Sequence, residues 1–337
     1  ASGTRDQAVA RRVEEAMDRA MALAPDSASS HLAAYFYHAN VARDQAAARA
    51  DARRALQLDP RSASALRSNA LYDLADGNFQ AMLDKLSLAR EIDPRNKANL
   101  SFLLQAQFDI GQQEEGLQTA RELEAMEPTA YDQIQGIALA YLANDDLAGA
   151  KRVVAELGRN VPTTELVAYF AGYHELAFLL SDEQRQLLYR LSPAAFDNDR
   201  AWWGQALATA AWQQGDLERA RAYADSSLEL ARQQIDASGN DAQLRILNAA
   251  SLAYAGRTAE ALREAERAMA DTTGMRRDDI SYVMQQYVRT QLALGERERA
   301  IDALEMLLGR HYYVTPGMLR NDPAYRSLDG NPRFERL

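Results

Sequence analysis

Ala55-Leu56-Gln57-Leu58-Asp59-Pro60 and Ala89-Arg90-Glu91-Ile92-Asp93-Pro94 state one phrase twice, and Ala20-Met21-Ala22-Leu23-Ala24-Pro25 is a looser version of it. Each is a helix-spaced apolar stretch closed by proline, whose fixed φ and missing N–H end one helix pair and open the next. The prolines recur at Pro25, Pro60, Pro94, Pro128 and Pro162, with one gap of 35 residues and three of 34. Between them stand glycine turns, Asp76-Gly77-Asn78 and Ile110-Gly111-Gln112, and the same signal returns at Gly215, Gly256 and Gly295. A small or apolar residue usually follows five positions on, at Met82, Gly116, Ala220, Ala261 and Ala300. Strand-type alternation is nearly absent, Tyr312-Tyr313-Val314-Thr315 being the best run, so the chain reads as all-helical.

This pattern resembles the tetratricopeptide repeat family, whose unit is a 34-residue helix–turn–helix. The stretch from Ala201 to Glu229 carries it best. Leu207 and Ala208 form the close-contact pair of the first helix, Gly215-Asp216 the turn, and Ala220 and Ala224 the small positions of the second helix. The resemblance implies an all-α fold, a right-handed superhelical α-solenoid of such units with a C-terminal capping segment. In a stack of this kind each unit buries its face only against its neighbours.

The layout follows from the period. The second helix of a first, partial unit spans about Thr4 to Ala24, with Thr4 and Gln7 spaced as a capping box. Its partner helix is missing, so the reading is a chain cut from a longer one, or a helix acting as a cap. Units follow at 29–62, 63–96, 97–130 and 131–164, closing an N-terminal stretch of 1–164. Residues 165–200 read as a degenerate unit with one apolar helix reaching Leu180 and a shorter one from Ser181. Longer units fill 201–310, starting near Ala201, Ala242 and Ser281. Residues 311–337 are a C-terminal cap over the last helix pair, in which Asp322-Pro323 and Asn331-Pro332 separate apolar residues. That tail is similar to the ending of repeat regions in bacterial signalling proteins that carry a serine/threonine kinase or winged-helix domain.

Composition narrows the function. Acidic residues outnumber basic ones, 48 to 38, for a net charge of -10, which opposes binding to a nucleic-acid backbone. No run of 18 apolar residues is present, so no membrane span is expected. The absence of cysteine removes disulfides, thiolate zinc sites and cysteine nucleophiles. Together with the tail resemblance, it tilts the reading toward the extracytoplasmic side.

No catalytic motif emerges. His31 and His38, seven residues apart, could share a helix face, but no carboxylate nearby completes a metal set. His174-Glu175 has no second histidine four residues on, and His311 beside two tyrosines reads as packing. No phosphate loop, dinucleotide fingerprint or nucleophile elbow occurs. The expectation is a non-enzymatic scaffold with no cofactor and no metal, holding a protein or peptide and belonging to a larger bacterial signalling protein. Alternatives are a substrate-presenting arm of a transferase, or an assembly scaffold for secretion or polysaccharide export.

The family resemblance also implies which positions of the first helix face the groove. These are Tyr37 and Asn40, then Arg67 and Leu71, Gln105 and Phe108, and Gln135 and Leu139. Farther along they are Trp202, Gln205 and Trp212, then Tyr282 and Arg289. Arg67 and Arg289 are the only cations among them, which disfavours a clamp for a peptide carboxylate. The groove reads as aromatic and amide-rich, suited to a peptide with apolar anchors. Packing against neighbouring helices is the competing role for its apolar members. Adjacent Trp202 and Trp203 lie about 100° apart on a helix, so one of them is expected to face a partner or the groove.

Overall fold

Asp59 and Pro60 sit at a junction between two helices in the computed structural model, which describes residues 2–337 apart from 174, 240, 273, 274 and 311. The side chains of residues 2–7 and 278 lie outside the description, and with them the Thr4–Gln7 capping box; so do His174 and His311. The chain divides into two compact units, Ala1–Gln107 and Phe108–Leu337. The described residues contain no strand.

The first unit holds α1 (Ser2–Leu23), α2 (Ala28–Tyr37), α3 (Gln45–Leu58), α4 (Ala63–Asp76), α5 (Phe79–Ile92) and most of α6 (Lys97–Asp109). The second begins with α7 (Gln113–Glu124), α8 (Tyr131–Ala143), α9 (Leu147–Leu157), α10 (Thr163–Gly172) and α11 (Asp182–Leu188). It continues with α12 (Arg200–Gln213), α13 (Leu217–Ala237), α14 (Ala242–Tyr254), α15 (Thr258–Ala270), α16 (Arg277–Ala293), α17 (Arg297–Leu308) and α18 (Pro316–Asn321). A 3-10 turn at Pro323–Leu328 follows.

Local chemistry accounts for these boundaries. Asp59 ends α3 and its carboxylate accepts from the Arg61 N–H, while Ser62 caps α4 by accepting from Ala65. Gly215 supplies the left-handed residue after α12, at φ 78°, and Asp216 caps α13. Between α8 and α9 the left-handed residue is Asp145, at φ 61°, and it has a second task described below.

The pairs close along seams of small residues. Ala208 and Ala211 of α12 lie buried against Ala220 and Ala224 of α13, with Tyr254 of α14 on the other side. In the first unit Ala48 and Ala52 of α3 receive Tyr35 of α2. Small side chains let two helix axes approach, and the aromatic ring from the next helix fills the groove. Gly204 marks one close approach in the seam between α12 and α13. A Cβ there would stand 2.7 Å from Ser227 Cβ and 3.0 Å from the Tyr223 carbonyl oxygen. Gly204→Ala should therefore destabilise by about 1–2 kcal/mol despite its better helix propensity, seen as a lower urea midpoint at unchanged slope. A midpoint at or above the parent's would show that the seam has slack.

The segment 165–200 departs from expectation. Helix α10 stops at Gly172, not at Leu180, because Gly172 lies against the Trp202 ring and the backbone then turns out of the helix. Glu175 takes φ 53°, and Leu176, Ala177, Leu179 and Leu180 are buried beyond it. Helix α11 starts cleanly, with Ser181 and Gln184 forming a capping box.

The tail also does more than cover an end. Arg333 reaches Glu298, Asp302 and Glu305 of α17, and Asn331 also bonds Glu298. Upstream of these residues, α18 packs on α8, and the turn at Pro323–Leu328 packs on α12 and α16. A segment expected only at the edge of the last pair thus runs across the first helices of several pairs. The reason is nonlocal: its polar residues pair with groups as many as 176 positions upstream.

Candidate functional site

The first helices of the second unit's pairs, α8, α10, α12, α14 and α16, pack on one another in sequence and present a common face. Most of the groove residues expected from sequence come from this row. The structure gives their polar groups to the chain itself. Gln135 on α8 donates to the Tyr173 carbonyl (3.1 Å), and Gln213 on α12 donates to the Glu175 carbonyl (2.8 Å). On α16, Gln286 donates to Glu175 Oε1 (2.7 Å) and Gln285 accepts from the Tyr313 hydroxyl (2.6 Å).

Arg289 corrects the sequence reading most sharply. Expected as a groove cation, it is 1% exposed. Its Nη2 pairs with Asp322 in the tail, its Nε lies 3.8 Å from Glu175 Oε2, and its guanidinium sits 5.7 Å over the Tyr325 ring. One cation thus faces two buried carboxylates. Burial pushes the Glu175 carboxyl above the ordinary carboxylate range, with Arg289 and Gln286 pulling against it. Asp322 is raised for the same reason, against Arg289 and the Ala324 N–H.

Other members of the set are also occupied. Phe108, Leu139 and Gln205 are buried, and the Phe108 ring packs on Gly116, where a Cβ would come within 3.1 Å. Phe108 and Leu139 are therefore packing residues rather than open anchors. Trp202 donates to the Gly172 carbonyl (3.4 Å) with its ring edge-on to Phe196, while Trp203 donates to the Leu191 carbonyl (2.9 Å) against Tyr223. Both tryptophans have intramolecular partners, so neither is left over for a ligand. Trp212, half-buried, packs on Tyr254 with the rings tilted and their centroids 5.4 Å apart. Tyr282 is half-buried too, and burial raises its phenol well above the usual value.

The first unit is different. Asn40 and Gln105 are exposed, Tyr37 and Leu71 half-buried. Arg67 donates to Asn99 Oδ1 (2.6 Å), lies 5.9 Å over the Phe102 ring, and is pulled below the ordinary guanidinium pKa by burial. Phe102 itself is 36% exposed and Phe36 is 44% exposed. Sequence reasoning passed over both, because the family register assigns Ser101 and Tyr37 to those turns. An aromatic one position off the register was the available signal.

His31 and His38 do have a carboxylate, contrary to expectation. Asp51 of α3 takes His31 Nδ1 at 3.1 Å and His38 Nδ1 at 2.7 Å. Among the described residues no group of three histidine or acidic side chains is arranged to hold a metal ion. No described helix is long and apolar enough to cross a membrane.

Helix pairs at about 34-residue spacing, closed by a small-residue seam and stacked through their first helices, make up the chain's repeating unit. The hairpins have the helix–turn–helix form of the repeat that the sequence resembles. No family model and no curated protein sequence matches the chain. Among solved structures it is similar to a tetratricopeptide repeat protein from Parabacteroides merdae, with a TM-score of 0.37 and 14% identity over 84% of this chain and 93% of that one. It is also similar to the P58(IPK) TPR domain, with a TM-score of 0.28 and 15% identity over 92% and 95%. A third is the structure of Naa15/Naa10 bound to HypK-THB, with a TM-score of 0.32 and 14% identity over 89% of this chain and 48% of that one.

Proposed function

We propose that the chain is a non-enzymatic protein-binding scaffold whose docking face is the first-helix surface of the first unit. One contrast carries this reading. In the second unit the amides of the first helices are engaged by distant segments of the chain, whereas Asn40 donates to the Phe36 carbonyl one turn back (2.9 Å) and stays exposed, as does Phe102, with Leu71 half-buried. A surface that exposes an amide and an aromatic ring and part of an aliphatic side chain suits a peptide with apolar anchors. A carboxylate clamp remains unsupported, since Arg67 and Arg289 are both engaged within the protein. The finer reading, the interaction region of a larger bacterial signalling protein, rests on the tail resemblance and is tested by the intact reading frame.

The docking face is tested by replacing Asn40 with a photocrosslinking amino acid and identifying the adducts. Leu71→Asp with Phe102→Ala should lower capture of the adducted partner by at least about tenfold, since each anchor of this kind contributes about 2 kcal/mol. Helical content should be unchanged by circular dichroism. Undiminished capture would remove the first unit as the docking face.

A further inference from the structure

Four aromatic rings form a continuous row on the first helices of the second unit. Tyr131 of α8 stacks on Tyr169 of α10 with centroids 5.6 Å apart, Tyr169 meets Tyr173 at 4.7 Å, and Tyr173 meets Trp202 of α12 edge-on at 5.4 Å. Tyr131, Tyr169 and Trp202 are half-buried, while Tyr173, just past the end of α10, is 47% exposed. Its backbone leaves the helix at φ -114° and ψ 126°, and Gln135 anchors its carbonyl. The open ring is thus held by its own backbone and by a ring on either side. A tyrosine fixed in this way has little freedom left to lose on binding.

Two carboxylates flank the row. Glu165, one turn before Tyr169 on α10, accepts from the Tyr131 hydroxyl (2.6 Å), and exposed Asp132, beside Tyr131 on α8, acts through space on the Tyr169 phenol. Burial and Glu165 push the Tyr131 phenol up to about 12, and burial with Asp132 raises Tyr169 as well, so both phenols stay neutral. Among the described residues neither carboxylate has a lysine or arginine partner. Elsewhere the chain fills this combination of ring and carboxylate with an arginine of its own. Arg152 lies over Tyr141 while paired with Glu124, Arg219 over Tyr189 while paired with Asp216, and Arg49 over Tyr72 while paired with Asp76. At Tyr173 the ring and the acids are present and the cation is not.

We propose that this row docks a basic segment of a partner protein, with an arginine guanidinium over the Tyr173 ring and Asp132 and Glu165 supplying the opposite charge. Arginine suits the site better than lysine because its planar group stacks on a ring while its N–H donors reach carboxylates at the edge. The chain's net charge of -10 adds a longer-range attraction for such a partner. This surface lies within the second unit and does not rest on the docking face proposed above; either can fail alone.

Fluorescence anisotropy of the whole chain with a labelled arginine-glycine-serine repeat peptide tests this. The peptide should bind saturably, with a Kd below about 100 μM. Tyr173→Ala and Asp132→Asn should each weaken binding by about five- to tenfold, and Tyr173→Phe, which keeps the ring, should bind like the parent. Glu218→Gln removes an exposed carboxylate on α13 and should leave the affinity unchanged, which separates docking at the row from general attraction to an acidic protein. These variants should keep the parent's far-UV spectrum. Equal binding by a peptide with glutamine in place of arginine, or by an uncharged proline-rich peptide, would overturn the inference. So would the absence of saturable binding, or an affinity that Tyr173→Ala and Asp132→Asn lower no more than Glu218→Gln does.

Discussion

Arg289→Met should lower the unfolding free energy by about 3–5 kcal/mol, the cost of leaving buried charge without its partner. The side chain it removes is fully buried and its guanidinium faces both the Glu175 and the Asp322 carboxylates. Methionine fills much of the volume, so the loss is electrostatic rather than a cavity. The deficit should depend on pH with a definite sign. Burial raises the Glu175 pKa, so the folded state binds its proton more tightly than the unfolded chain. Stability from that group is therefore fully present below the ordinary glutamate value of about 4.3 and is lost as pH rises through the folded value. Removing Arg289 removes the attraction that holds the carboxylates charged, so the variant should recover toward the parent on acidification from pH 8 to about 5. Adding Glu175→Gln and Asp322→Asn should restore much of the loss at pH 8. Urea titrations at both pH values measure this, and equal deficits at the two would show that the cluster's charge is not what matters.

Gly317→Ala should cost about 3 kcal/mol, at the upper end for overpacking, and release the tail. Gly317 lies on α18 where it meets α8, and a Cβ would come 2.6 Å from the Ala143 carbonyl oxygen and 2.7 Å from that of Leu142. Both obstacles are backbone at the end of a helix, so no rotamer change can relieve them. Next to this contact Asp145 accepts from Arg320 Nε (2.9 Å) and Asn321 Nδ2 (2.6 Å), and both bonds would be lost as α18 lifts away. Limited proteolysis should then cut between α17 and α18 faster than in the parent. Gly309→Ala, where a Cβ meets only ordinary contacts, serves as the control. Protection equal to the parent's in Gly317→Ala would refute the close approach.

The period of the chain was legible because each signal is local. A proline after an apolar stretch, a glycine in the turn and alanines at the seam all report on residues within one pair. The tail's path was not legible, because nothing near Arg320 or Asp322 in sequence announces Asp145 or Arg289. Glu175 illustrates the same limit. Read alone it follows a histidine without a metal motif; in the fold its carboxylate meets Gln286, 111 positions away. The family register reads the groove as aromatic and amide-rich, and the second unit's first helices carry such residues, Gln135, Trp202 and Tyr282 among them. What the register could not tell was that Gln135, Gln213 and Gln285 would be spoken for by Tyr173, Glu175 and Tyr313. At Asp145 a local anomaly pointed outward: a carboxylate holds a turn position that glycine fills in several other pairs, and Arg320 and Asn321 use it.

The contact between Asp145 and Arg320 spans 175 residues. A row of hairpins otherwise assembles by neighbour-to-neighbour growth, each able to settle as soon as the next emerges during synthesis. This clasp cannot. Until residues 316–328 have left the ribosome, Glu175 and Arg289 have no Asp322 to join them, and the earlier pairs must wait with charged and amide groups open to water. Completion of the second unit is thus tied to a late event in translation, and nascent chains halted before residue 316 should fold to a looser, more protease-sensitive stack.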